Sequence, residues 1–309
     1  MPETEFHDDY EFLRRSQRLT HEEMLKVARV ATGLGVSKIR LTGGEPLLDK
    51  KLPELVRGLA ALPGVDDLAL TTNAMLLAPV AAELADAGLH RITVSLDSLD
   101  EQIFKAMSGG RGDLSAVLRG IEAAQAAGLS PIKINVVVER GVNDHTVSDL
   151  VDHFRGTGHI VRLIEYMDVG NRNGWRMDQV VPSKELLATI QERWSLQPMD
   201  RNYPGEVARR YQFDDGQGEI GFISSVTEAF CGLCSRARLS ADGVLYTCLF
   251  ANQGTDLREP IRNGADDDEL GDILSRIWLQ RADRYSELRR TDVAEHHTLS
   301  KVEMYRIGG

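Results

Sequence analysis

A chain of 309 residues with 42% hydrophobic content can bury a full core, either as one large domain or as a domain with an extension. A formal net charge of −11 excludes a general nucleic-acid surface, so any polyanion must be met by locally gathered lysines and arginines. No apolar run approaches the roughly 18 residues that cross a membrane, no secretory stretch opens the chain, and three clustered cysteines make no disulfide framework; a reducing cytoplasm is the expected location.

After an acidic, polar start, the amphipathic pattern predicts a helix over residues 21–34 and a strand over 38–42. Gly43-Gly44-Glu45-Pro46 follows as a turn that lets backbone approach a ligand, with Glu45 able to accept from an ammonium group. Helices are expected at 51–61, 79–87, 114–127 and 144–154, and strands between them at 68–72, 91–96, 132–138 and 160–166. This alternation predicts a parallel sheet with helices outside it. The rhythm breaks near residue 168, which divides a barrel region (1–168) from a C-terminal region (169–309). The second region reads as a Gly/Asn-containing loop over 168–182, a helix over 183–194 and short strands over 209–250. A helix over 270–285 follows, and then a polar tail ending in Gly308-Gly309.

The strands carry a polar face. At period 2, Lys38, Arg40 and Thr42 oppose Ile39 and Leu41; Arg91, Thr93, Ser95 and Asp97 oppose Ile92, Val94 and Leu96; Lys133 and Asn135 oppose Ile132 and Ile134. A doubly covered parallel sheet has two apolar faces, so this pattern points to a barrel whose lumen is a ligand chamber. Lysines and arginines facing such a lumen call for an anion, and a phosphate-bearing ligand satisfies them.

All three cysteines lie in one block, Cys231-Gly-Leu-Cys234-Ser-Arg236-Ala-Arg238 followed by Cys248, a C-x2-C-x13-C arrangement. The first spacing lets two sulfurs converge from a tight turn, and Asp242-Gly243 reads as the turn that returns Cys248. Structural zinc and a four-iron cluster each take four ligands, so three thiolates leave one position open beside two arginines. A zinc ribbon completed by an aspartate or a water stands as the alternative.

These residues together resemble the radical S-adenosylmethionine (SAM) enzymes, and within them the GTP 3',8-cyclases of molybdenum cofactor biosynthesis. The landmarks are Arg40-Leu-Thr-Gly-Gly-Glu-Pro-Leu, Thr71-Thr-Asn73, Val94-Ser95-Leu-Asp-Ser98, Lys133-Ile-Asn135, Arg140-Gly-Val-Asn143, Arg162-Leu-Ile-Glu-Tyr-Met167, the cysteine block and the terminal Gly-Gly. The resemblance implies an incomplete TIM-like (β/α) barrel with a C-terminal cluster-binding extension. It implies conversion of GTP to (8S)-3',8-cyclo-7,8-dihydroguanosine 5'-triphosphate by SAM-derived radical chemistry, with one [4Fe–4S] cluster cleaving SAM and a second binding GTP. Carried over residue by residue, Cys231, Cys234 and Cys248 hold the substrate-side cluster, and Arg236 and Arg238 are the catalytic pair contacting GTP. Lys38, Arg40, Thr71, Lys133 and Arg162 complete the GTP site, Gly44, Ser95 and Met167 contact SAM, and the Gly308-Gly309 tail reaches the active site. The expected partners are GTP, SAM and a reductant for the clusters, with a homodimer as the candidate assembly and neither nucleic acid nor membrane.

The chain departs from that pattern in one respect. The C-x3-C-x2-C trio of the SAM-cleaving cluster is absent, and the chain opens on Met1-Pro2 and a helix rather than a strand. The expectation is therefore that the first barrel strand and the trio lie upstream, and that the chain as written is inactive in SAM cleavage. Two other readings stay open at this point: a GTP-binding, non-catalytic protein that keeps only the substrate cluster, and a zinc-stabilised barrel protein.

Overall fold

The computed structural model describes residues 13–110, 112–170, 174–288 and 301–304. The expected tail residues Gly308 and Gly309 lie outside them. Helix α1 (His21–Gly33) starts where the sequence supplies a capping box: the Thr20 hydroxyl accepts from the Glu23 N–H at 3.2 Å, and Glu23 accepts from the Thr20 N–H at 2.8 Å. β1 (Lys38–Leu41), α2 (Leu52–Ala60), β2 (Asp67–Thr72), α3 (Ala81–Asp86) and β3 (Arg91–Ser95) follow. Then come α4 (Glu101–Met107), α5 (Leu114–Ala126), β4 (Lys133–Val138), α6 (Val147–Phe154) and β5 (Ile160–Glu165). Asp100 and Asp113 cap α4 and α5 by accepting from backbone N–H groups one turn on.

β1 to β5 lie side by side in parallel register, each beside the next in chain order. Helix α7 (Ser183–Gln191) and strands β6 (Leu196–Met199), β7 (Arg209–Phe213) and β8 (Glu219–Ile223) come after residue 168, yet β8 pairs parallel with β5 as a sixth barrel strand. β7 and β6 then extend the sheet antiparallel, giving the order β1-β2-β3-β4-β5-β8-β7-β6. β1 and β6 are the two ends of this order, so the barrel is open. Outward-facing Ile92, Val94, Ile134, Val136 and Leu163 are buried in one core with the inner faces of α2, α3, α5, α6 and α7. Lys133, Asn135 and Val137 alternate with them toward the lumen, which is the period-2 reading of the sequence realised.

The C-terminal region closes back on the start of the barrel. β9 (Arg238–Leu239) and β10 (Val244–Tyr246) form a hairpin with β11 (Thr255–Asp256) beside it, followed by α8 (Arg258–Arg262), α9 (Asp267–Leu279) and α10 (Tyr285–Leu288). Val27 and Val30 of α1 pack with Leu257, Ile261 and Leu270, so a small second core fixes this region to α1. The expected helix over 270–285 starts earlier and stops earlier than the periodicity indicated. Asp266 and Glu269 form a capping box that initiates α9 at Asp267, and the chain leaves the helix at Gln280 before the short α10.

Candidate functional site

Parallel strands place residues of equal register in layers across the lumen. Thr71, Thr93 and Lys133 form one layer by the pairings Thr71↔Thr93 and Thr93↔Lys133. Two residues further along, roughly 7 Å at strand rise, Ser95, Asn135, Arg162 and Gly221 form the next. Arg40 reaches from the edge strand across both neighbours, its Nη1 donating to the Thr71 hydroxyl at 3.0 Å and the Thr93 hydroxyl at 3.3 Å. Arg162 Nε donates to Asn135 Oδ1 at 2.9 Å. Gly221 makes room for it: a Cβ there would stand 3.2 Å from Arg162 Cγ.

The lumen cations crowd one another. Burial first, then repulsion from Arg162, Arg91 and Arg40, brings Lys133 down to about 8, while the Glu206 carboxylate acts the other way. Burial and the charges of Arg40 and Arg91 likewise lower Arg162, to about 9, and burial with Arg91 lowers Arg40. Arg91, which the alternation also placed on the polar face, is already paired: its Nε and Nη2 hold Asp67 bidentately at 2.8 and 2.5 Å, while its buried Nη1 has no hydrogen-bond partner among the described residues. Burial works against the ionised Asp67, but the bonds and charge of Arg91 outweigh it and keep the carboxyl below its usual range.

Two contributors come from the β6–β7 loop, which carries no periodicity or motif to mark them. The Tyr203 ring lies under the Lys38 ammonium, 3.3 Å from Nζ to the centroid. Glu206 is buried and accepts from the Asn202 N–H at 2.7 Å. Gly205 between them, at φ +83°, passes so close to the cysteine segment that a Cβ would meet the Leu233 carbonyl oxygen at 2.7 Å. The β6–β7 loop therefore joins the lumen, at Lys38, to the cysteine segment, at Leu233.

The residues expected to face SAM sit where the parallel strands finish. Gly43, at φ +146°, and Gly44 follow β1, and no atom lies within 4 Å of where a Cβ of either would stand. Ser95 ends β3 and is exposed. Met167, beyond β5, packs with Ile164, Ala208, Ile223 and Phe230. Glu45 is partly taken up, one of its two oxygens keeping acceptor capacity for an ammonium. One oxygen accepts from the Leu47 N–H at 3.0 Å and the Thr72 hydroxyl at 2.7 Å, the other from the Asn73 N–H at 2.8 Å, so Glu45 ties the glycine turn to β2. Nearby, burial raises Asp97 to about 6 although the Val137 N–H donates to it at 2.8 Å.

In the cysteine block, Ser240 and Gly243 close the β9–β10 hairpin, and Tyr246 pairs with Arg238. Gly243 is required there: φ is +83°, and a Cβ would meet Arg258 Cβ at 2.7 Å. Arg236 Nε and Nη2 donate to Cys234 Sγ at 3.3 and 3.2 Å, and the Phe250 N–H donates to Cys248 Sγ at 3.4 Å. Burial pushes the Cys234 thiol up, but Arg236 and Arg281 more than offset it and bring it down to about 7. Burial raises Cys248 and lowers Arg238 to about 10, the latter also repelled by Arg236 and attracted by both Cys248 and Cys234. Among the described residues no three His, Cys, Asp or Glu side chains close around a single metal ion. The three thiols belong to one charged neighbourhood: Cys248 is influenced by Arg238 and Cys231, and Arg238 by Cys248 and Cys234.

Comparisons with known proteins match both halves of the chain. The Radical SAM superfamily profile covers residues 4–154, and Molybdenum Cofactor Synthesis C covers residues 159–287. The GTP 3',8-cyclase of Xanthomonas campestris pv. campestris (strain B100) is 53% identical over all of this chain and 89% of its own length. Those of Acidothermus cellulolyticus and Staphylococcus epidermidis are 52% and 42% identical over 94% and 100% of this chain, and 82% and 91% of their own lengths. Streptococcus suis SuiB bound to S-adenosylmethionine superposes at a TM-score of 0.57 with 14% identity, over 86% of this chain and 63% of that one, a likeness of fold. The chain belongs to the GTP 3',8-cyclase family of radical SAM proteins.

Proposed function

We propose that this chain binds GTP in the barrel lumen as a GTP 3',8-cyclase of molybdenum cofactor biosynthesis, the enzyme that joins C3' to C8 of the nucleotide. The observation that carries this reading is the crowd of cations, Lys38, Arg40, Lys133 and Arg162, facing one chamber beside the Arg236/Arg238 pair. Such a crowd is costly until an anion enters, and a triphosphate supplies several charges. Guanidinium forks match its oxygens, and Thr71, Thr93 and Asn135 hold two of those forks in place beforehand. Arg236 is near enough to Arg40 to repel it and bonds Cys234 Sγ, which supports a nucleotide whose base approaches the cysteine pocket, with Arg238 beside Arg236.

The residues of that pocket fit a [4Fe–4S] cluster with one open iron: three thiols, one held toward the thiolate by Arg236 and another receiving a backbone N–H. Where the parallel strands finish, the open Gly43-Gly44 backbone, Ser95 and Met167 form the proposed SAM contact. SAM bound beside a reducing cluster supplies the hydrogen-abstracting radical. The remaining work falls to the residues above, which bind the triphosphate, orient the ribose and exclude water.

The 309 residues contain three cysteines, enough for the substrate-side cluster and not for a second. On this count the chain as written binds GTP and holds about four irons, without generating the SAM radical itself. Anaerobic reconstitution, iron and sulfide analysis and GTP binding test the reading. The expected result is about four irons per chain, visible charge-transfer absorption and GTP binding that weakens on Cys231→Ala. A chain that takes up only colourless zinc, or that ignores GTP, rejects it; a content near eight irons with cyclised product rejects the inactivity alone.

A further inference from the structure

The cysteines sit on two separate pieces of chain, the short turn Cys231–Leu233 ending at Cys234, and the segment after β10 that carries Cys248. Neither belongs to the main core, so their mutual spacing needs another support. The stretch that leaves α9 provides contacts to both. Arg281 Nη1 donates to the Cys234 carbonyl oxygen, and its Nε donates to Asp283 at 3.2 Å. The guanidinium rests over the Trp278 ring at 4.9 Å and is mostly buried. Glu287 accepts from the Gly232 N–H at 3.1 Å, inside the first cysteine turn, and from Arg284 Nε at 2.6 Å.

On the second piece, the Tyr285 ring stacks on Phe250, two residues past Cys248, at 4.7 Å between centroids and 20° between planes. The Tyr285 hydroxyl donates to Asp168 Oδ2 at 2.5 Å, and Lys301 Nζ donates to the same oxygen at 2.8 Å. Asp168 lies just beyond the end of β5, so one brace joins the barrel, both cysteine segments and the chain at Lys301.

We propose that Arg281 is a positioning residue of the three-cysteine centre: with Glu287 and Tyr285 it fixes the Cys231–Cys234 turn against the Cys248 segment, and its charge offsets that of the Cys234 thiolate. The inference rests on the cluster reading given above. A cluster held by three thiolates grows more negative on reduction, so a fixed positive charge beside one of them favours the reduced state and raises the midpoint potential. Rigid outer contacts of this kind also slow release of the metal.

The test uses the full chain, reconstituted anaerobically with iron and sulfide. Release of iron to a chelator is followed by loss of visible absorption, and the midpoint potential by a reductive titration. Arg281→Met is expected to speed release roughly ten- to a hundred-fold and to move the midpoint to a more negative value. Glu287→Gln speeds release with little change in midpoint, because it loosens the brace without removing the cation. Arg281→Lys keeps the midpoint near that of the unaltered chain while still releasing faster, since the charge stays and the fork is lost. Arg276→Met, on the exposed side of α9, changes neither. An unaltered chain that takes up no iron overturns the cluster reading and this inference with it. An iron-loaded unaltered chain matched in release and midpoint by both Arg281→Met and Glu287→Gln overturns this inference alone.

Discussion

Lys133 titrates within the accessible pH range, and the proposed triphosphate site makes that measurable. In the ligand-free chain, burial and the repulsion of Arg162, Arg91 and Arg40 bring its pKa from 10.5 to about 8. A bound triphosphate adds negative charge and favours the protonated amine, so the pKa of the complex is higher than that of the free chain. Below the free value both states carry the proton and affinity is level. Above it the free chain has lost a proton that the complex retains, and binding must take one up. Affinity then falls by up to a factor of ten per pH unit, so going from about pH 7 to about pH 9 weakens GTP roughly tenfold, or ~1.4 kcal/mol. The terminal phosphate itself finishes ionising near pH ~6, outside this window. Calorimetric titration of GTP into the iron-loaded chain, in two buffers of different ionisation enthalpy, gives both the affinity and the proton count. Lys133→Met is expected to reduce the fall to the roughly twofold that Arg162, itself lowered to about 9, contributes by about pH 9, at a weaker affinity throughout. A level profile in the unaltered chain, or a slope undiminished by Lys133→Met, refutes the reasoning.

Gly221→Val places a side chain against Arg162, whose Cγ is 3.2 Å from the Cβ position; losing one charge-assisted contact to phosphate should weaken GTP about ten- to a hundred-fold with the fold retained by circular dichroism. Glu165 is fully buried and accepts from the N–H groups of Ser183, Val226 and Thr227, each at 2.8 Å, as well as from the Thr227 hydroxyl. Glu165→Ala strands these donors and is expected to cost about 3–5 kcal/mol in denaturant unfolding, without any change at the lumen cations. Gly243→Ala combines a positive φ with a 2.7 Å contact to Arg258 Cβ, whereas Gly35→Ala has a positive φ in open space; the first should lower the unfolding temperature clearly more than the second.

What is legible in the sequence and what is not divide along a physical line. Period-2 alternation is local, so Lys38, Arg40, Thr93 and Lys133 can be placed on a lumen face from the order of residues alone, and the β-α order through β5 follows from the same periodicity. Pairing between distant segments is not local. β8 reads as one short strand among several after residue 168, and only its register with β5 makes it part of the barrel and sets Gly221 beside Arg162. Tyr203 and Glu206 lie in a loop with no periodicity, and Arg281 follows a helix end; each acquires its role from a partner far along the chain.

Side-chain type also says nothing of what already occupies a group. Arg91 has the right charge and the right face, yet Asp67 holds it; Glu45 has the right charge and a ligand-facing turn, yet three donors hold it. The cations left to face the lumen are those whose neighbours are hydroxyls, an amide or an aromatic ring, partners that orient a positive charge without cancelling it. That distinction, more than the number of lysines and arginines, separates a chamber built for an anion from an ordinary ion-paired strand face. It also explains why Glu206 does not defeat the site: a single carboxylate lowers the repulsion among Lys133 and Arg162 in the empty chamber, while the surplus of positive charge remains for the incoming triphosphate.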